Sequence, residues 1–177
     1  MNLLGKKSLV IYFSHTGENY MSDGIRNIDK GNTEVIAEMI KDITKADLFK
    51  VEKAIDYPYN YRECVDLASK EKSENARPKL KEYLDNLDKY DTIFVGYPSW
   101  CGTMPMVLFS FLENYDLESK TIIPFCTNEG SGMGSSEADL RRICKGAKVL
   151  DGLSIKGSEA SKSEEIVSKW AKQKASL

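Results

Sequence analysis

Apolar positions along the chain follow two alternating rhythms. Residues 8–13 (Ser-Leu-Val-Ile-Tyr-Phe) form a continuous β-branched and aromatic run, the pattern of a strand buried on both faces. Residues 91–97 and 121–126 read the same way, while 47–52 and 148–155 are weaker and fall toward the sheet edges. Pro124 is expected to remove a ladder hydrogen bond from the fourth of these strands. Between them lie stretches of helical period. Residues 33–44 set Ile36, Met39, Ile40 and Ile43 on one face. Residues 61–72 and 79–87 give two more helices, with Pro78 at the start of the second. Residues 105–114 carry Val107, Leu108, Phe111 and Leu112. Residues 136–144 and 163–174 complete the set, the last through Ile166, Val167 and Trp170. No repeat, low-complexity tract or linker divides the chain, so 1–177 reads as a single domain.

Strand and helix alternating about five times predict an α/β fold, a doubly wound parallel sheet with helices on both faces. In such a sheet ligands sit beyond the carboxyl ends of the strands, where the winding direction reverses. That directs attention to the segments after Phe13, Tyr97 and Cys126. The first reads Ser14-His15-Thr16-Gly17-Glu18-Asn19 and resumes at Gly31-Asn32-Thr33. The second reads Pro98-Ser99-Trp100-Cys101-Gly102-Thr103, and the third Thr127-Asn128-Glu129-Gly130-Ser131-Gly132-Met133-Gly134. All three are rich in hydroxyl, amide and glycine residues and carry no Lys or Arg.

A hydroxyl-rich loop running into a helix N-terminus is an anion site, because the backbone N–H groups there are unpaired and partly positive. Ser14 and Thr16 can donate from their side chains, Gly17 permits a tight turn, and Asn32 or Thr33 can cap the helix. A phosphate bound this way needs no Lys. The chain lacks the G-x-x-x-x-G-K-[ST] string of a P-loop and the G-x-G-x-x-G of a dinucleotide site.

Composition narrows the classes further. The formal charge is −2 and the pI about 5.6, which argues against a nucleic-acid binder. At 41% apolar and 29% charged residues the chain has the make-up of a globular protein. No apolar run approaches a membrane span, and residues 1–7 lack the pattern of a signal peptide. A cytoplasmic protein is expected. Cys64, Cys101, Cys126 and Cys144 form no C-x-x-C pair, and with one His a zinc site lacks ligands, so four reduced thiols are expected.

Ser14-His15-Thr16-Gly17 followed by Asn32-Thr33 resembles the two halves of the phosphate loop of the flavodoxin family, separated by an insertion over residues 18–31. The stretch from Tyr97 to Pro105 is similar to the G-x-P-x-W-x-G of flavodoxin-like proteins that carry a flavin-facing Trp. Residues 127–132 resemble the loop that wraps the polar edge of the isoalloxazine. The resemblance spans the chain and implies a five-stranded sheet of order 2-1-3-4-5 with FMN as cofactor. The implied cofactor-binding set is Ser14, His15, Thr16, Gly17, Asn32, Thr33, Pro98, Ser99, Trp100, Cys101, Gly102, Thr127, Asn128, Glu129, Gly130 and Ser131. The insertion is expected to bulge outward and return at Gly31 to close the same loop.

Each of these residues has a plainer reading beside the functional one. His15 is either a phosphate partner or a solvent-facing loop residue that contributes its backbone N–H. Trp100 either faces a ligand or packs as an ordinary aromatic. Cys101 is either a redox-active thiol in the flavin loop or, without a basic neighbour to lower its pKa, a small residue that fits. Glu129 is a surface charge or a negative charge that disfavours the reduced, anionic flavin. Tyr57, Tyr59 and Tyr61 either wall the ring or pack a long loop onto the sheet edge. Ser14 as a nucleophile fails, since G-x-S-x-G is missing.

Two functional classes follow from the resemblance. One is an electron carrier, monomeric or weakly dimeric, that docks transiently with redox protein partners. The other is an FMN-dependent reductase that draws on NAD(P)H and passes electrons to a quinone or nitro compound. The charge of −2 is low for electrostatic steering, although Asp56, Glu63 and Asp66, or Glu113, Asp116 and Glu118, offer local clusters. For the reductase, Arg26 and Lys30 of the insertion are the cations available to a dinucleotide's phosphates.

Overall fold

A computed structural model describes residues 7–177; segment 1–6, most of the stretch read above as lacking a signal-peptide pattern, lies outside the described residues. In chain order the elements are β1 (Ser8–Tyr12), β2 (Gly17–Met21), β3 (Gly24–Ile28), α1 (Asn32–Thr44), β4 (Asp47–Lys50), α2 (Tyr61–Ser73), β5 (Thr92–Pro98), α3 (Met106–Leu112), β6 (Thr121–Asn128), α4 (Ser136–Ile143), β7 (Lys148–Val149), β8 (Leu153–Lys156) and α5 (Glu164–Ala175). Short 3-10 turns occupy Leu87–Lys89 and Gly157–Lys162.

The central sheet runs β4-β1-β5-β6, with β7 and then β8 pairing along the far side of β6, and all pairings are parallel. In terms of the five predicted strands this is order 2-1-3-4-5. Alternation along β1 explains why its sequence is apolar throughout. Leu9 and Ile11 enter a core with Val95 of β5, Leu108 of α3 and Leu140 of α4. Val10 and Tyr12 enter the opposite core with Ile36 and Ile40 of α1, Phe94 of β5 and Val167 of α5. Both faces are covered, so neither strand position can be polar. Leu9, Val10 and Ile11 are fully buried, each worth roughly 1.5–3 kcal/mol relative to exposure.

Three expectations need correction. Residues 148–155 form two short strands, broken at Leu150-Asp151-Gly152. Pro124 is accommodated by that break. Leu150 N–H donates to the Ile122 carbonyl at 2.9 Å, so Ile122 and, two residues on, Pro124 point their backbone groups toward β7 and β8. The donor that proline lacks thus falls where no strand is present to accept it, and the predicted ladder loss does not arise. Residues 79–87 are not a helix. Ala54 N–H donates to Lys79 O and Lys81 N–H to Glu52 O, at 2.8 and 2.9 Å, with Leu80 bridging Lys53 in antiparallel register. Backbone pairing with the chain after β4, together with burial of Leu80, overrides a helical period that propensity alone supports.

The insertion at 18–31 folds as most of a two-stranded antiparallel hairpin, Gly17 pairing with Ile28 and Met21 with Gly24. It forms a sheet of its own beside the main one.

Candidate functional site

The carboxyl end of β1 is held to β5 one residue beyond the strand, Phe13 N–H donating to Gly96 O at 3.0 Å. The chain then leaves the sheet at Ser14, makes the hairpin excursion and re-enters at Gly31, the N-cap of α1. Gly31 has no side chain to cap with. Ser14 supplies the cap from across the loop, its Oγ accepting the Glu34 N–H at 3.1 Å. A Cβ on Gly31 would sit 1.9 Å from Ser14 Oγ and 2.9 Å from His15 O, so only glycine permits this closure. As an acceptor from Glu34, the Ser14 hydroxyl keeps its own hydrogen for a ligand. The N–H groups of Asn32 and Thr33, in the first turn of α1, have no intrahelical acceptor, and the helix dipole makes them electropositive.

This cradle is tied to the other strand ends. Thr33 Oγ1 and Thr127 Oγ1 share a buried hydrogen bond of 2.8 Å, and Ser99 N–H donates to Thr127 O at 2.8 Å. Asn128 Oδ1 accepts from Gly130 N–H and Gly132 N–H, at 2.9 and 3.0 Å, which curls the 127–132 loop. Glu129 is an anchor. Its carboxylate accepts from Ser158 N–H at 2.7 Å and from Ser158 Oγ at 2.8 Å, joining the loop to the 3-10 turn after β8.

Opposite the cradle stands an aromatic flank. Cys101 and Gly102 both take left-handed backbone, with φ of 53° and 78°, and reverse the chain in a two-residue turn. Trp100 N–H donates to Thr103 O and Thr103 N–H to Trp100 O, at 2.9 and 3.2 Å. Trp100 is thereby fixed at the end of β5, where three rings meet it edge to face: Phe13 at 5.2 Å, His15 at 5.6 Å and Tyr57 at 4.8 Å between centroids. Such contacts add roughly 0.5–1.5 kcal/mol each to what burial supplies. The hairpin closes this side through Glu18. Its carboxylate accepts from Tyr61 N–H at 2.8 Å and Asn60 Nδ2 at 3.0 Å, at the N-terminus of α2 where a negative charge is favoured. Tyr20 then lies 6.3 Å from Tyr61, ring to ring.

Cradle and flank enclose one cavity of about 450 Å³, within the range of small-molecule sites. Of the anticipated residues Ser14, His15, Asn32, Thr33, Pro98, Ser99, Trp100, Cys101, Thr127, Asn128, Glu129 and Ser131 line it. Thr16, Gly17, Gly102 and Gly130 do not, and Thr16 is exposed. Sequence reasoning missed Glu18, Asn19, Tyr20, Cys64, Val65, Ala68 and Gly157, which also line it. The insertion and α2 gave no motif to mark them; the apolar stripe Cys64-Val65-Ala68 at helical spacing was the one available signal. Of the three tyrosines, Tyr61 lines the cavity, Tyr57 lies behind Trp100, and Tyr59 is exposed.

The charged groups of the lining are two carboxylates, Glu18 and Glu129, each held by the N–H groups described above. No Lys or Arg belongs to the lining. Burial lowers the pKa of His15, so the imidazole is the favoured form, and its Nε2 is buried without a hydrogen-bond partner. Burial pushes the Cys64 thiol up to about 12, which makes it an inert wall group. All four cysteines are free. An amide-and-hydroxyl cradle, an orphaned ring nitrogen beside it and an apolar aromatic wall fit a ligand with an anionic head and a flat, weakly polar body.

A doubly wound parallel sheet with such a cleft at the carboxyl ends of β1, β5 and β6 defines an open α/β protein with its cavity at the topological switch point. The chain belongs to the flavodoxin family, whose model matches residues 7–174. No curated protein matches significantly. A crystal structure from Bacteroides uniformis ATCC 8492, assigned to a flavoprotein, is 28% identical with a TM-score of 0.77 over 95% of this chain and 99% of that one. Another so assigned, from Bacteroides eggerthii DSM 20697, is 26% identical with a TM-score of 0.74 over 97% and 99%. A flavoprotein from Lactobacillus acidophilus NCFM, crystallised in complex with FMN, shares the fold at 21% identity and a TM-score of 0.64, over 89% and 98%. Among the described residues no helix is long and apolar enough to cross a membrane.

Proposed function

We propose that the protein binds FMN in this cavity and serves as an electron carrier to redox protein partners. FMN, when bound, supplies the redox chemistry; the protein supplies binding, orientation and electrostatics. In this reading Ser14 and the first-turn N–H groups of α1 hold the phosphate, with Thr16, Gly17 and His15 completing the loop. Trp100, Pro98 and Tyr61 keep water from the ring. Ser99, Cys101, Asn128 and Ser131 offer backbone and side-chain groups to its polar edge, and Gly102 and Gly130 turn the loops that carry them. Thr127 locks Thr33 in place, and Glu129 holds the third loop to the sheet edge. FMN in the Lactobacillus relative supports the choice of cofactor.

One observation favours carrier over reductase. Arg26 and Lys30, the cations of the insertion, are committed to Asp23 (Arg26 Nε to Oδ1, 2.9 Å) and to Glu38, and neither lines the cavity. A dinucleotide's phosphates would find no cation there. Of the acidic groups offered for steering, Asp56 pairs with Lys81 and Glu113 with Arg77. Glu63 and Asp66 stay exposed on α2, whose other face lines the cavity. The deciding experiment is a reductive titration of the FMN-loaded protein followed by absorbance. Two resolved one-electron steps, with no steady-state consumption of NAD(P)H in the presence of a quinone, are expected. Turnover of NAD(P)H would overturn the carrier reading, and a protein indifferent to added FMN would overturn the cofactor as well.

A further inference from the structure

Behind Trp100 lies a charged cluster that the cavity itself does not use. Glu71 of α2 is buried, 7% exposed, and pairs with Lys53. Its other oxygen accepts the Tyr57 hydroxyl at 2.6 Å. Lys53 Nζ also stands 4.3 Å over the Tyr57 ring, and that ring meets Trp100 edge to face at 4.8 Å and 89°. Burial, then the bond to Glu71, pushes the Tyr57 hydroxyl up, so it stays a donor. Two side chains from separate segments, Lys53 and Glu71, thus fix the ring that fixes Trp100.

A buried ion pair is a poor means of stabilising a fold, because desolvation consumes most of its attraction, and well-packed apolar residues often do as well. Breaking one partner away is costly, however, so the geometry is stiff. We infer that Lys53, Glu71 and Tyr57 are positioning residues for Trp100, and that Lys53 balances the charge of Glu71 behind the cavity, beside the Lys72 ammonium that binds the Cys101 carbonyl. The charge-balance half rests on the FMN reading above; the positioning half rests on the contacts alone. Reduction adds negative charge to the cofactor, so an unbalanced charge behind Trp100 should move its potential by Coulomb interaction.

Two arms test this. In a Trp170→Phe background, which leaves Trp100 as the sole indole, the cofactor-free emission of Tyr57→Phe and Glu71→Gln is compared with that of the parent. Both should shift, although Tyr57→Phe keeps the ring and only loses its bond to Glu71. Unchanged emission in both would overturn positioning. The second arm measures the potential of FMN-loaded Glu71→Gln at about pH 6.5 and Lys53→Met at about pH 8.5, each against wild type at the same pH, conditions that keep the orphaned charge ionised. The glutamine variant should raise the potential and the methionine variant lower it, each by about three- to tenfold in the redox equilibrium, up to about 59 mV per electron. Lys53→Met/Glu71→Gln together should return toward wild type. Shifts of the same sign, or none, would overturn the charge balance. Wild type that takes up no FMN would overturn the cofactor reading and the charge-balance half with it, leaving the emission arm to decide positioning by itself.

Discussion

The two sides of the cavity are built by different physics. The cradle is set by the backbone path: Gly31 against Ser14, the open N–H groups of α1, and a threonine pair that ties α1 to the end of β6. Its parts lie at strand ends and a helix start, where the fold itself sets their geometry. The flank is side chain: Trp100 boxed by Phe13, His15 and Tyr57, and the hairpin latched to α2 through Glu18. It depends on packing between segments far apart in the chain. A cradle of that kind tolerates almost no change in shape, whereas a flank of this kind can lose one contact and keep the rest.

The sharpest way to break the contrast is Gly31→Ala. One methyl group would overlap Ser14 Oγ, and overpacking of this sort costs roughly 1–3 kcal/mol. Denaturant unfolding should register that loss, and FMN affinity should fall far more than riboflavin affinity, since the damage is to the phosphate end. Ser14→Ala removes the acceptor for Glu34 N–H, at a cost of about 1 kcal/mol, and the hydroxyl donor offered to the phosphate, with a smaller but still FMN-selective loss. Thr16→Val, at an exposed position outside the lining, should add less to it. Equal losses for FMN and riboflavin would refute the phosphate role of the loop.

On the flank the corresponding change is Glu18→Ala. It deletes the bonds to Tyr61 N–H and Asn60 Nδ2, partly exposed and charge-assisted, worth about 1 kcal/mol in all. Amide hydrogen exchange should show protection lost over β2 and β3 while β1 and β5 keep theirs. Loss spread evenly over the main sheet would mean that the hairpin is part of the core rather than latched to it.

The same contrast governs what could be read from the sequence. The cradle was legible because it sits at the ends of unbroken apolar runs: Ser14, Thr33 and Thr127 each follow or face such a run, and the strand-end rule locates them. Trp100 was legible for the same reason. The hairpin's role was not, since Glu18, Asn19 and Tyr20 carry no pattern that announces a wall; only the docking of β2 onto α2 makes them one. Residues 79–87 went astray because a period of 3.6 also fits an extended segment with two buried leucines, and pairing with residues 52–54 decided the outcome. The reading of Glu129 as either surface charge or flavin-facing charge missed a third role, the anchor on Ser158, because nothing local links residues 29 positions apart.

His15 belongs to both sides, carried by the cradle loop and packed on the edge of Trp100, and it gives the smallest and most discriminating test. Burial lowers its pKa, so between the ordinary value near 6.5 and its lower folded value the unfolded chain binds a proton that the native state does not. Stability therefore rises with pH through that window and is lost as pH falls through it. Thermal melts of the cofactor-free protein should show a steeper acid decline for wild type than for His15→Gln. An anion seated on the loop reverses the balance, because a nearby negative charge favours the imidazolium. If the side chain is a phosphate partner, saturating FMN should flatten the wild-type decline toward that of the glutamine variant; if the residue contributes only its backbone N–H, the difference between the two proteins should survive FMN unchanged.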